Sequence, residues 1–414
     1  MTELFRSRKT CRICKSSNLE SILDFGDLAL TGVFLEDGSQ VLKAPLKLIR
    51  CESCGLVQLE HSYSLDALYT DSYGYESHLN ESMRNHLTSK AQLLQKKYLR
   101  NKTNPIVVDI ASNDGTLLAG YSLPDATYIG IDPLIENISD FYPSEAIKVE
   151  DFFTSEAFRD VSASQASLVT SLSVIYDLDD PVSFAKDVEV ILEEGGIWHF
   201  EQSYLPTMIE TLSYDTICHE HLLYLRLSDV VKILDIAGLQ ILDASLNAIN
   251  GGSIAVTAIK SQSSITPDPF VDYLLEKEKS DGYTSGSRLR EFAKEAVEHS
   301  TGLQKILSAY KSSNFTIFGL GASTKGNVLL QWAGLNSSTI ESIGDINPKK
   351  FGKQTPGTCI EIVSETDVLG TAAINVLVVV MPWHFRDGIV KNSKNFLENG
   401  GKLLFPLPRI EIVC

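Results

Sequence analysis

The chain has 414 residues, 43% of them hydrophobic and 21% charged, a composition that supports several folded cores and excludes a largely disordered chain. With 36 Lys and Arg against 53 Asp and Glu, the formal net charge is −17, which argues against general nucleic-acid binding. No apolar run approaches the roughly 20 residues of a membrane-spanning helix, so no membrane partner is expected.

The N-terminus, MTELFRSRKT, is polar and lacks the pattern of a signal peptide. Seven cysteines, an odd number in a long chain, speak against a disulfide framework and for a reducing, cytoplasmic compartment. Residues 1–70 carry short strand-like runs, turn residues and two pairs, Cys11-x-x-Cys14 and Cys51-x-x-Cys54. Each pair can hold one side of a tetrahedral Zn²⁺. Four sulfurs leave no open position, so the predicted zinc is structural, and the chain between the pairs must be a folded insert. Cys218, Cys359 and Cys414 are isolated and are not expected to be ligands.

From about 71 to 260, apolar β-branched runs alternate with amphipathic stretches. The runs at 106–111, 127–132, 167–172 and 196–201 read as strands and 181–192 as a helix, which predicts a parallel sheet with crossover helices. Two further strands, 239–245 and 253–259, are joined through Gly251-Gly252 and suit an antiparallel pair. Residues 270–310 read as one or two exposed helices, interrupted at 280–287. A second alternating unit follows, with strands in 315–321, 340–348, 374–383 and 400–408, and predicts a smaller doubly wound domain.

Chemistry concentrates at three places. VVDIASNDGTLL (107–118) is a strand, a small-residue turn and a helix start, and Asp109, Ala111, Asn113 and Gly115 mark it as a cofactor turn. Asp132 ends the next strand, where an acid can accept from two ribose hydroxyls. Asp151 and Phe152 follow the third strand and could hold an adenine ring. The strict GxGxxG of a dinucleotide fold is missing, which shifts the expected cofactor from NAD to S-adenosylmethionine. In the stretch 201–225, Glu201 ends a strand at the ligand-binding edge, and His219, Glu220 and His221 are consecutive. They cannot all face one way. His221 with Glu220 could make an oriented general base. In the last unit, Gly319-x-Gly321 to Gly326 follows a strand and opens a helix, and its N–H groups with Lys325 could receive a pyrophosphate. Asp345 ends the strand after it.

In order, CRIC…CESC, YGYESHLNESM, DIASNDGTLL, GIDP, EDFF, YDTICHEH, NGGSIAV and GLGASTKGN resemble the S-adenosylmethionine-dependent C-methyltransferases that act on nucleotide-linked deoxysugars. The resemblance covers nearly the whole chain. It implies an α/β protein: a class I methyltransferase sheet at 71–300, flanked by a zinc-binding domain at 1–70 and a Rossmann-like domain at 301–414. It implies methyl transfer to C-3′ of a 4-keto-6-deoxy sugar on a nucleoside diphosphate, through an enolate. It gives His221 as the base, with Glu220 beside it and Tyr73 as an active-site tyrosine. Glu201, His219, Lys325 and Asn327 are then expected at the sugar nucleotide. Two departures stand out: Cys218 replaces a tyrosine of some members, and SLSVIYDLDDP, with Tyr176 and Asp177, lacks a histidine that some members carry. Two other readings remain: an NAD-dependent oxidoreductase using 315–345, or O- or N-methylation of a similar substrate. A zinc-ribbon scaffolding protein is a third.

Overall fold

The structure, a computed structural model, describes residues 4–36, 41–68, 76–261 and 265–414. Near the N-terminus, period-two alternation sets the strands. They are β1 (Phe5–Ser7), β2 (Leu19–Ala29), β3 (Lys43–Cys51), β4 (Val57–Leu59) and β5 (His61–Tyr63). In β3, Ala44, Leu46 and Leu48 are buried while Pro45 and Lys47 between them are only partly so. The insert between the cysteine pairs supplies the antiparallel pairing of β2 with β3, and β4 adds to β3.

The middle of the chain gives β6 (Ile106–Ile110), β7 (Thr127–Ile131), β8 (Ile147–Val149), β9 (Ala166–Leu172), β10 (Leu192–Ser203), β11 (Leu223–Tyr224), β12 (Leu239–Asn247) and β13 (Ser253–Lys260). Seven of them form one sheet in the order β12-β13-β10-β9-β6-β7-β8. The strands from β10 to β8 in that order are parallel, and β13 runs antiparallel between β10 and β12. This is the class I methyltransferase arrangement, with the switch point between β6 and β9, where ligands bind at the carboxyl edge. Its central strands are β-branched and almost fully buried, Val108, Ile129 and Val169 among them. The strand β11 leaves this sheet. It pairs with β4, so the N-terminal sheet reads β11-β4-β3-β2.

The bridge resolves into helices Pro269–Ser280 and Gly286–Ser312, broken where the sequence predicted. The second runs across the expected division at 300/301. The last sheet contains β14 (Thr316–Leu320), β15 (Ser342–Asp345), β16 (Glu361–Ser364), β17 (Val376–Val380), β18 (Lys402–Phe405) and β19 (Glu411–Val413). Its order, β16-β15-β14-β17-β18-β19, with only β19 antiparallel, is that of a dinucleotide-binding fold. Among the described residues, no helix is long and apolar enough to cross a membrane.

Candidate active site and metal centre

The two cysteine pairs come together as predicted. The four sulfurs of Cys11, Cys14, Cys51 and Cys54 lie within 4.8 Å of one another. Each pair sits in a tight knuckle: Lys15 N donates to Cys11 O at 3.1 Å and Gly55 N to Cys51 O at 2.8 Å. Lys15 and Gly55 both take positive φ there, +61° and +84°. Four thiolates in this closed grouping fit a structural zinc. The second knuckle docks on the methyltransferase sheet's side of the molecule: Lys232 Nζ donates to Cys54 O at 2.7 Å, and a Cβ at Gly55 would collide with the Arg226 guanidinium.

The turn after β6 bends sharply without the glycines of a dinucleotide fold. Ala111, Asn113 and Gly115 take φ of +54°, +49° and +84°. Left-handed backbone at non-glycine residues is costly and clusters at ligand sites. Asp132, at the end of β7, accepts from Asn113 N at 3.0 Å and from Leu134 N at 2.8 Å. Asp109 lies deeper and accepts from Thr170 Oγ1 at 2.7 Å. Burial, with Asp132 and Asp114 nearby, pushes its carboxyl up to about 7; burial raises Asp132 as well. No Lys or Arg among the described residues balances this pair. A buried acidic turn without its own cation fits a ligand that brings positive charge, and S-adenosylmethionine carries a sulfonium and an ammonium.

The segment at 76–80 is fastened over this turn. Ser77 N and Oγ donate to Asn113 Oδ1 at 3.0 and 3.2 Å. His78 N and Nδ1 meet Asp114 Oδ2 at 2.8 and 2.9 Å. Tyr73, a few residues earlier, lies outside the described residues. Asp132 N donates to Val149 O at 3.1 Å, which brings the start of 150–153 beside the turn. Asp151 and Phe152 are exposed there, and Asp151 Oδ1 accepts from Phe152 N.

The HEH stretch divides as expected from three consecutive side chains. His219 is fully buried toward the N-terminal sheet: its Nε2 donates to Ala44 O at 3.2 Å and its ring meets Tyr63 edge-on. His221 faces the other way. Its Nδ1 donates to Thr216 O at 2.8 Å, so the lone pair sits on Nε2. The Tyr176 ring stands edge-on to it at 4.4 Å. Burial, with Lys325 adding to it, lowers its pKa to about 3, so the imidazole is neutral at pH 7. A cavity of about 10 Å³ beside it, room for one water, is lined by Tyr176, Ser203, Tyr204, Thr216 and Tyr224. Glu220 is buried and its pKa is raised by that burial. Its Oε2 accepts from Thr31 Oγ1 at 3.1 Å. Its Oε1 has no partner among the described residues, and a Cβ at Gly32 would come within 2.5 Å of it.

The remaining expected residues are spread more widely. Glu201 is saturated: it accepts from His86 Nε2 at 2.7 Å, Lys90 Nζ at 2.9 Å and Asn247 Nδ2 at 3.0 Å. Burial raises its pKa, but His86 and Lys90 outweigh that and bring it to about 2. It thus ties the helix Glu81–Leu94 to the end of β10. Lys325 does not project from its glycine turn toward solvent. Its buried Nζ donates to Asn250 O at 2.8 Å and shares a cluster with Asp215, Cys218, His221 and His384. Asn327 Nδ2 donates to Thr31 O at 2.6 Å.

Sequence reasoning missed Arg12, His78, His86 and His384. His86 and Lys90 stand four apart on an amphipathic helix, a readable signal. His384 follows β17 at the ligand-binding edge, so topology could have flagged it. Its Nδ1 is buried without a partner among the described residues, and burial lowers its pKa to about 3.

Residues 11–69 match the model of a zinc binding domain family, and residues 248–408 match the C-methyltransferase C-terminal domain. The C-methyltransferase NovU of Streptomyces niveus is 27% identical over 420 residues, covering 100% of this chain and 99% of that protein. Among solved structures, the magnesium protoporphyrin IX methyltransferase of Synechocystis PCC 6803 aligns at 13% identity over 43% of this chain and 79% of its own, with a TM-score of 0.32. An S-adenosylmethionine-dependent methyltransferase of Clostridium acetobutylicum aligns at 15% identity over 42% and 91%, with a TM-score of 0.33. With a closed four-cysteine centre, a class I sheet and a C-terminal module of this kind in one chain, the protein is an S-adenosylmethionine-dependent C-methyltransferase with an N-terminal zinc-binding domain, similar over its whole length to NovU.

Proposed function

We propose that this enzyme methylates C-3′ of a 4-keto-6-deoxy sugar linked to a nucleoside diphosphate. The observation that carries the reading is His221: a neutral imidazole whose Nδ1–H is fixed on Thr216 O and whose Nε2 lone pair is therefore free to take a proton. A carbon acceptor needs such a base, and an adjacent ketone makes its C–H acidic enough for imidazole to work on. His221 Nε2 takes the C-3′ proton, and the C–H electron pair moves toward the C-4′ carbonyl oxygen to give an enolate. The chemistry that S-adenosylmethionine supplies there is an electrophilic methyl group for that carbon. Asp109, Ala111, Asn113, Gly115 and Asp132 would hold the donor, with Asp151 and Phe152 at its rim.

Developing negative charge on the acceptor favours the imidazolium of His221 and offsets the burial that disfavours it. Lys325, in the same cluster, balances the enolate. Glu220 is held by Thr31, and Tyr73 is assigned to the acceptor by family resemblance. We read the chain as three domains, 1–70, 71–300 and 301–414. The test is to incubate nucleotide-linked 4-keto sugars with the donor and look by mass for the gain of one methyl. His221→Ala should lower methyl transfer by about 10²–10⁴-fold. It should also abolish exchange of the C-3′ hydrogen with D₂O. A variant that exchanges at the wild-type rate assigns the base elsewhere.

A further inference from the structure

We infer that Arg12, inside the first cysteine knuckle, is a positioning residue that sets both walls of the His221 pocket through Leu59 and Asp179. The inference rests on the reading of His221 as the base.

The first wall is the strand that follows His221. Arg12 NH1 donates to Leu59 O at 2.6 Å. Leu59 N in turn donates to Leu222 O at 2.9 Å. Beyond it, β4 pairs with β11, Gln58 against Leu223 and Val57 against Tyr224. The residue directly after the histidine is therefore hydrogen-bonded to the strand that Arg12 holds.

The second wall is the turn Ile175–Asp177, whose Tyr176 ring stands 4.4 Å from the His221 ring. Two residues on, Asp179 is gripped by the N-terminal region. Arg6 and Arg8 each reach Asp179 Oδ2 at 2.7 Å, Arg12 Nε lies 3.4 Å from Oδ1, and the Ser62 hydroxyl donates to Oδ1. The knuckle also reaches the next residue, since Lys15 Nζ is 3.7 Å from Asp180 Oδ2.

Arg12 differs from its two helpers in burial. Its side chain is fully enclosed, whereas that of Arg6 is 66% exposed. Its guanidinium also donates to His61 O and Ser62 Oγ, both at 2.9 Å. A buried cation is expensive unless most of its donors are used. Holding Asp179 alone does not require one, because the more exposed arginines already do so. What only a planar fork at this place can do is hydrogen-bond Leu59, His61 and Ser62 while its Nε pairs by charge with Asp179 at 3.4 Å. That geometry fixes the distance between the turn carrying Tyr176 and the strand after His221.

The test uses the full, zinc-loaded chain with Arg12→Lys and Asp179→Asn; the second variant lies near the surface and keeps the inference testable where the first does not fold. Imidazole NMR resonances of His221, identified by their loss in His221→Gln, should shift in both variants as the Tyr176 ring moves. Affinity for S-adenosylmethionine should stay unchanged, because the donor turn is built on β6 and β7. With TDP-4-keto-6-deoxyglucose as acceptor, kcat should fall about 10- to 100-fold, as expected for misplacement of a reacting group. The acceptor KM should move less, and Asp179→Glu should recover part of the rate. Unmoved His221 resonances, with any rate loss matched by loss of folded or zinc-loaded protein, would overturn the inference. Shifted resonances with an unchanged rate would uphold the clamp and remove His221 as the base.

Discussion

Two turns in this molecule occupy the same place in two similar sheets and carry different charge. After β6, the turn at 111–115 faces Asp132 at the end of β7. After β14, the turn at 321–323 faces Asp345 at the end of β15. Each acid accepts from a backbone N–H of its turn, Asn113 at 3.0 Å and Ala322 at 2.8 Å. Each also accepts from the residue two positions on, Leu134 and Asn347, both at 2.8 Å. The second acid has in addition its own cation: Lys350 Nζ lies 3.5 Å from Asp345 and donates to Ala322 O at 2.8 Å. The N-terminal insert covers that place, with Phe34 under Lys350, Thr31 bound to Asn327 and Ala29 to Gln331. Strand order thus offers two ligand crevices, and an internal cation with a covering segment decides which one is left for a cationic cofactor. The oxidoreductase reading at 315–345 loses its ribose acceptor to Lys350.

The comparison breaks first at Lys350. Replacing it by Met leaves a buried carboxylate without its partner, which costs about 3 kcal/mol. Urea unfolding should show a loss of that order, with donor affinity measured by calorimetry unchanged. A weakened donor affinity would mean that the second turn shares in cofactor binding. Asp132→Asn makes the converse change. It keeps an acceptor for the two N–H groups and removes the charge. Hydrogen bonds to a charged group are worth about 1.5–3 kcal/mol, so donor affinity should fall about ten- to hundred-fold. Asp345→Asn should leave that affinity alone.

Acidity sharpens the contrast further. Asp109, beneath the first turn, has its pKa raised to about 7 by burial and by Asp132 and Asp114. A raised carboxyl contributes stability that is fully present below its unfolded value, near 4, and is lost as pH rises through about 7. Across that window, stability of the donor-free enzyme should fall by about 1.4 kcal/mol per pH unit from this group. In Asp109→Asn that contribution disappears. Unfolding curves of the two proteins at pH 5, 6 and 7 should therefore diverge, the variant gaining relative to the wild type as pH rises. Parallel curves would show that Asp109 does not ionise in this window.

How much of this was legible in sequence follows from the range of the forces. Both sheets could be read because β-branched runs such as 106–111 and 374–383 report local periodicity. The zinc centre could be read because two knuckles each fix their own ligands. What could not be read was placement across the chain. Nothing around Arg12 says that it will meet Asp179, 167 positions later, by the numbering. Lys325 lies by a phosphate-like glycine turn, yet its ammonium is drawn back to Asn250 and Asp215 because the segments carrying those residues pack there. Glu201 ends a strand at the ligand edge, but a helix from outside the sheet brings His86 and Lys90 to saturate it.

The smallest expected effect tests the backbone of the two turns. Ala111 holds φ at +54°, a conformation that costs an L-residue about 1–2 kcal/mol. Glycine relieves that strain but adds about 0.5–1 kcal/mol of chain entropy to be lost on folding. Ala111→Gly should therefore stabilise the donor-free protein slightly, by about 0.5 kcal/mol. The second turn responds with the opposite sign. Gly321 has φ of +82°, and a Cβ there would meet Pro382 Cδ at 2.5 Å, so Gly321→Ala adds strain and a collision together. Paired urea midpoints should move up for the first variant and down for the second. A drop for Ala111→Gly would mean that the alanine methyl packs against something worth more than the strain it causes. The first turn would then be held by side-chain packing, as the second is, and the contrast between them would rest on charge alone.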